Sequence, residues 1–278
     1  MLVNLNEVLK KAQNEKYAVG LFNTTDTDML QAVIEAAEES NSPVILGTAE
    51  VLLPYGELKL IAPSVIAAAK RAKVPVVVHY DHGLTFDRCI EALKLGFSSI
   101  MFDGSAKPYE QNIAETREMV KIAHAFGATV EGEIGHVGEA AKEDNLLTDM
   151  YTTPEEAKAY LDATGVDALA VAIGSAHGVY KKKPMLNIGR LKEISGKVKV
   201  PLVLHGGSGL SDDDFKNTIR NGIAKVNIFT DLCLAGERAM KDGAEKKLGY
   251  LETRNLKVEY IKEAVKHKMA LFGSVNKA

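Results

Sequence analysis

The chain alternates, and that alternation limits its folds more than any other feature. Eight short apolar runs, rich in β-branched residues, are separated by stretches of helical periodicity. The runs are "YAVGLF" at 17–22, "PVILG" at 43–47, "VPVVVHY" at 74–80, "SSIMF" at 98–102, "ATVEGEI" at 128–134, "DALAVAI" at 167–173, "VPLVLHG" at 200–206 and "AKVNIF" at 224–229. Between them lie helix candidates such as 27–40, 109–127 and 153–165. The last opens with Thr153 and Pro154, a capping residue followed by proline at the first helical position. The runs are continuously apolar, as strands buried on both faces should be. Eight β-α repeats favour a closed (β/α)8 TIM barrel of the α/β class over an open sheet. A Rossmann-like sheet is the alternative, but no G-x-G-x-x-G follows the first run.

No Pro-, Gly- or Ser-rich linker divides the 278 residues, so 1–278 reads as a single domain. One connection, from about 134 to 153 ("IGHVGEAAKEDNLLTDMYTT"), is long for a βα loop and is expected to be a mobile active-site loop. A net charge of -3 implies no broad basic surface, hence no nucleic-acid partner. No apolar run approaches the roughly 18 residues of a membrane span, and the amphipathic N-terminus has no signal-peptide core. The expected location is cytoplasmic, with no membrane partner. The two cysteines, Cys89 and Cys233, lack metal spacing and read as free thiols of a reducing compartment.

In such a barrel the reactive groups sit at the C-terminal ends of the strands. Asn23 ends the first, Asp81 and His82 follow the third, and Asp103 ends the fourth. Glu131 and Glu133 close the fifth, His177 follows the sixth, His205 ends the seventh and Asn227 lies in the eighth. A lone strand histidine is more often structural than ligating, but here three imidazoles and several carboxylates share one rim. Imidazole donors suit zinc better than magnesium, and three protein ligands with an open position is the catalytic arrangement. His82, His177 and His205 are the candidate ligands. Asp103, Glu131 and Glu133 could orient imidazoles or bind the metal in a second position. Asp81, beside a ligand at a strand end, is the candidate general acid/base. His79 reads as a barrel-lining histidine, and His124 and His267 as surface or structural residues.

"HGGSGL" after strand seven offers closely spaced amides and a hydroxyl, and "VNIFTDL" leads into a helix that starts at Thr230 and Asp231. Loops after strands seven and eight form the usual phosphate site of this architecture. "SAHGVYKKKP" adds Gly178 and Lys181; Lys182 and Lys183 read as solvated.

At these residues the sequence resembles the class II, metal-dependent ketose-phosphate aldolases, and most of all their tagatose-bisphosphate and class IIB fructose-bisphosphate branch. "FN" at 22–23, "SPVIL" at 42–46, "HYDHG" at 79–83, "EGEIG" at 131–135, "TGVDALAVAIGSAHGVY" at 164–180, "VPLVLHGGSG" at 200–209 and "KVNIFTDL" at 225–232 appear in family order. The resemblance spans nearly the whole chain. It implies a zinc site (cobalt being an alternative) of His82, His177 and His205, with Glu133 as a second-position ligand, and a monovalent cation as a further candidate. It implies a sugar phosphate bound by Asn23, Gly178, Lys181, Gly206, Gly207, Ser208, Asn227, Ile228, Phe229 and Thr230. Asp81 would take the C4 hydroxyl proton as the C3–C4 bond breaks. A loop carboxyl would then protonate the enediolate of dihydroxyacetone phosphate. The family's Gly-Gly-Glu-Asp is here "GEAAKED", so Glu139, Glu143 and Asp144 compete, and Glu143 is preferred. No Schiff base is required, so no buried strand lysine is demanded. The resemblance also implies a homodimer or homotetramer.

The chain leaves the family pattern at the far end of the substrate. Relatives hold a distal phosphate with a hydroxyl after strand two and an arginine ahead of the final helix. Here Ala49 aligns with the hydroxyl, between Thr48 and Glu50, while Arg254 and Lys257 are the available cations. A 1,6-bisphosphate is the default substrate, and a longer or oxidised sugar 1-phosphate the competing one. A metal-dependent epimerase or zinc hydrolase on the same barrel, and a non-catalytic sugar-phosphate module, are the other classes.

Overall fold

The computed structural model describes residues 1–135, 151–178, 180 and 184–278. Nine strands lie among them: β1 (Leu2–Val3), β2 (Val19–Asn23), β3 (Val44–Ala49), β4 (Val76–Gly83), β5 (Ser99–Phe102), β6 (Thr129–Ile134), β7 (Ala168–Val171), β8 (Leu202–Leu204) and β9 (Ile223–Ile228). β2 to β9 pair in parallel in chain order, and β9 returns to β2, so the eight form a closed barrel. The expected (β/α)8 barrel is therefore the fold. The two-residue β1 lies outside the eight expected runs. It pairs with Val76 and Val77 at the start of β4, below the point where β5 joins.

The outer ring consists of α2 (Thr27–Glu39), α3 (Leu58–Arg71), α4 (Phe86–Leu95), α5 (Tyr109–Ala125), α6 (Pro154–Thr164), α7 (Ile188–Lys197), α8 (Asp212–Arg220), α9 (Thr230–Glu245) and α10 (Tyr250–Phe272). The start predicted for α6 is present as a capping box. The Thr153 hydroxyl accepts from the amide of Glu156, and the Glu156 carboxylate accepts from the amide of Thr153. Gly165, at φ 72°, ends the helix in the left-handed conformation.

The interior is layered. At the N-terminal end of the barrel, Val19, Leu21, Ile45, Val77, Ala168, Ala170 and Val203 point inward and pack against Leu5, Val8, Leu9 and Ala12 of α1 (Leu5–Glu15). That helix plugs the bottom, and its Leu5 amide donates to Thr129 Oγ1 at 3.2 Å. Side chains alternate along a strand, so the next inward residues are two positions on. Beyond Val77 and Val203 these are His79 and His205, and Glu131 of β6 and Lys225 of β9 stand beside them; all four are completely buried. The barrel thus changes from apolar floor to charged upper layer within one step of the pleat.

Candidate active site

The strand that carries His79, Tyr80, Asp81 and His82 cannot be regular to its end. Neighbouring residues on a strand face opposite sides, yet Asp81 and His82 both line the same pocket. The backbone achieves this by leaving the ladder. Pairing with β5 slips between Tyr80 and Gly83, and His82 sits at φ 47°, in the left-handed region. A non-glycine residue held there costs on the order of 1–3 kcal/mol and marks functional sites.

The pocket holds about 630 Å³ at the C-terminal end of the barrel, a size suited to a small metabolite. At its head the three predicted imidazoles converge, with one nitrogen of each within 4.8 Å of the others. His82 Nδ1 lies 2.7 Å from Asp103 Oδ2, and His205 Nε2 lies 2.8 Å from Glu131 Oε1. An imidazole donates to a carboxylate through its ring N–H, which assigns the proton of each ring to its outer nitrogen. The remaining nitrogens, His82 Nε2 and His205 Nδ1, then face one another at 2.9 Å. Two lone pairs at that distance need a positive charge between them, either a proton or a cation. Nε2 of His177 is buried and has no hydrogen-bond partner among the described residues. This donor set fits a borderline divalent ion of the zinc type. A second group, His82, Asp103 and Glu133, meets the same distance limit.

The electrostatics agree. Burial opposes a charge on His82, but the Asp81 and Asp103 carboxylates outweigh it and raise the imidazole to about 10. Burial, then repulsion from His82 and His205, pushes His177 down to about 3. Burial also works against ionised Asp81; positive charge at His82 and Lys225 prevails and holds its carboxyl well below the usual range. Asp81 is fixed by two amides: Asn23 Nδ2 donates to Oδ2 at 2.9 Å and Asn227 Nδ2 to Oδ1 at 3.1 Å. Both asparagines therefore orient the carboxylate as well as lining the pocket.

The residues expected to bind a phosphate share this pocket. Gly178, Gly206, Gly207, Ser208, Asn227, Ile228, Phe229 and Thr230 all line the pocket. Ser208 Oγ accepts from the amides of Phe229 and Asp231, tying the loop after β8 to the N-terminus of α9. Tyr180 adds a second tie, accepting from the amide of Ala176 at 2.7 Å and donating to the carbonyl of Gly206 at 2.8 Å. Gly206 is obligatory here, because at φ 65° a Cβ would sit 2.3 Å from the Ala176 carbonyl oxygen.

The family description "Fructose-bisphosphate aldolase class-II" matches residues 3–277. The chain belongs to that family. A fructose-bisphosphate aldolase of Thermus caldophilus is 41% identical over 308 aligned residues, with both chains covered in full. The crystal structure of the YdjI aldolase from Escherichia coli K12 superimposes with a TM-score of 0.91 at 37% identity, again over the whole of both chains. A fructose-bisphosphate aldolase from Campylobacter jejuni gives 0.86 at 26% identity, covering 100% of this chain and 97% of that one. As a class II family member the protein is an aldolase, a lyase of a metal-dependent class acting on a small sugar phosphate.

Some expected residues stand elsewhere. Glu143, Glu139, Asp144 and Lys181 to Lys183 lie outside the described residues. His79 lines the barrel beneath Asp81, with Nδ1 2.8 Å from Ser99 Oγ. Glu50 turns away from the pocket, accepting from the Tyr80 hydroxyl at 3.1 Å and the Leu84 amide at 2.9 Å. Arg254 and Lys257 are held by α2 and its cap: Arg254 Nε lies 2.8 Å from Asp28 and Lys257 Nζ 2.8 Å from Asp26. Cys89 and Cys233 are free thiols, and His124 pairs with Asp167 on the surface. The sequence reading passed over Lys225, a buried lysine on β9 whose Nζ is 2.7 Å from Glu131 Oε2. The signal was available: Lys225 precedes Asn227 by two, so both face inward. Among the described residues no helix is long and apolar enough to cross a membrane.

Proposed function

We propose that the protein reversibly cleaves a ketose 1-phosphate to dihydroxyacetone phosphate and an aldehyde, using zinc held by His82, His177 and His205. The observation that carries this reading is the 2.9 Å approach of two imidazole nitrogens beside a buried, ionised Asp81 at the head of a phosphate-suited pocket. A bound zinc ion, or cobalt in its place, supplies Lewis-acid stabilisation of negative charge; Glu133 offers it a second position through the group with His82 and Asp103. Asp81 takes the proton of the C4 hydroxyl as the C3–C4 bond breaks. The amides of Asn23 and Asn227 keep its oxygens aimed during that transfer. Gly178, Lys181 and the Gly206 to Ser208 and Asn227 to Thr230 segments bind the C1 phosphate, with a monovalent cation as a further aid. Glu143 returns a proton to the enediolate carbon. The enzyme acts in the cytoplasm as a homodimer or homotetramer.

Fructose or tagatose 1,6-bisphosphate is the first candidate substrate on family grounds. A second reading, an aldehyde half without a terminal phosphate, is favoured by the far wall of the pocket. Ala49, Val51, Leu52 and Leu84 form that wall, and no lysine or arginine is among the described lining residues. The test is condensation of dihydroxyacetone phosphate with a panel of aldehydes, scored by kcat/KM and product stereochemistry. An aldolase of this kind discriminates strongly against free dihydroxyacetone, because a charge-assisted hydrogen bond contributes roughly 1.5–3 kcal/mol and several are lost together. Equal efficiency with and without the phosphate contradicts the phosphate assignment.

A further inference from the structure

Lys225 is fully buried inside the barrel, on a strand whose neighbours are apolar, and it does not line the pocket. It therefore touches no substrate. A buried ion pair is a poor source of stability, since the desolvation of both charges offsets their attraction. The contacts of this pair suggest another role. Glu131 Oε2 meets Lys225 Nζ at 2.7 Å, while Glu131 Oε1 meets His205 Nε2 at 2.8 Å. The carboxylate is thus stretched between a fixed cation and the outer nitrogen of a metal-site imidazole.

We propose that Lys225 is a positioning residue for the metal site, holding Glu131 so that it accepts the Nε2 proton of His205 and leaves the His205 Nδ1 lone pair facing His82. Without the ammonium group, Glu131 is a buried charge with no cation against it. It would rotate toward His79, whose Nε2 lies 4.0 Å from Oε2. His205 could then take the other tautomer, with its proton directed at His82. Lys225 and Asn227 divide the work of one strand face: Asn227 orients the base, Asp81, and Lys225 orients a ligand.

The inference rests on the metal-site reading above, and the experiment separates the two. Zinc affinity is measured by chelator competition for the native protein, Lys225→Met and the charge-neutral Lys225→Met/Glu131→Gln. Losing such an outer partner weakens metal binding by roughly 10–100-fold, and both variants should show that loss. Because Lys225 acts through the metal, KM at saturating zinc should stay within a few-fold of native. Affinity within a few-fold of native in a folded variant overturns the proposal and leaves Lys225 a structural ion pair. Absence of zinc binding by the native protein overturns the site reading itself. Should neither variant fold, nitrogen-15 spectra of the histidine rings in metal-free native protein decide. The proposal requires His205 to be protonated at Nε2, and a proton resident on Nδ1 with Nε2 bare contradicts it.

Discussion

His205 Nδ1 faces His82 Nε2 at 2.9 Å, and each ring is held from behind by a carboxylate, Glu131 for one and Asp103 for the other. Neither carboxylate comes from a strand that carries an imidazole of the site. The barrel brings four strand ends together to make one cation-demanding gap, and Asp81 stands beside it.

Asp81→Asn should keep zinc and the fold but lose turnover by roughly 100- to 10,000-fold, the usual contribution of a general acid/base. The amide keeps the shape and removes the basicity. Steady-state kinetics on the zinc-loaded variant check this, and a loss of only a few-fold excludes Asp81 as the base.

Gly206→Ala should be destabilising and should weaken phosphate binding. The new methyl group meets the Ala176 carbonyl at 2.3 Å on a backbone at φ 65°, and a strained residue of this kind costs on the order of 1–3 kcal/mol. Thermal unfolding and KM for the phosphorylated donor measure the two effects. An unchanged melting temperature contradicts the packing argument.

His79 predicts an acid-side loss of stability. Burial, reinforced by Lys225, lowers its folded value to about 3 from an ordinary 6.5. Below pH 6.5 the unfolded chain takes up a proton that the folded chain refuses until about pH 3. Unfolding is therefore favoured as pH falls through that window, by up to about 1.4 kcal/mol per pH unit for one proton. Denaturant unfolding of chelator-treated protein at several pH values should show this slope, and His79→Gln should flatten it. An identical pH profile for the variant removes His79 from the account.

Much of this was legible in the sequence, for a physical reason. Strands buried on both faces must be apolar along their length, so the residues that break the pattern at one end stand out. His82, His177, His205 and Asp81 stand out in this way. Strand limits were harder to read. The run at 200–206 forms a ladder only over Leu202–Leu204, because His205 and Gly206 already belong to the loop. β4 runs on to Gly83 through polar residues. Glu50 adjoins the position expected to meet a distal phosphate, yet its carboxylate is bonded to Tyr80 and Leu84. The Lys225–Glu131 pair spans the barrel, and no local pattern reports a contact between residues so far apart in the chain.

Arg254→Ala should leave kcat/KM on the best ketose 1-phosphate within a few-fold of native. The guanidinium is bonded to Asp28 and Gln31 outside the pocket, and partly exposed pairs of this type contribute about 0–1 kcal/mol to stability. A drop of more than tenfold, on a bisphosphate in particular, places Arg254 on a distal phosphate and contradicts the reading of the far wall.

The most direct test of the central claim is a coupled assay for dihydroxyacetone phosphate. Metal-stripped and zinc-reloaded protein are each given fructose and tagatose 1,6-bisphosphates and a series of ketose 1-phosphates with varied tails. The account predicts triose phosphate from at least one of them, lost on stripping and restored by zinc, with His205→Ala folded but inactive and free of metal. Full release by protein shown by elemental analysis to hold no metal, or no release from any phosphoketose by the zinc-loaded enzyme, contradicts it.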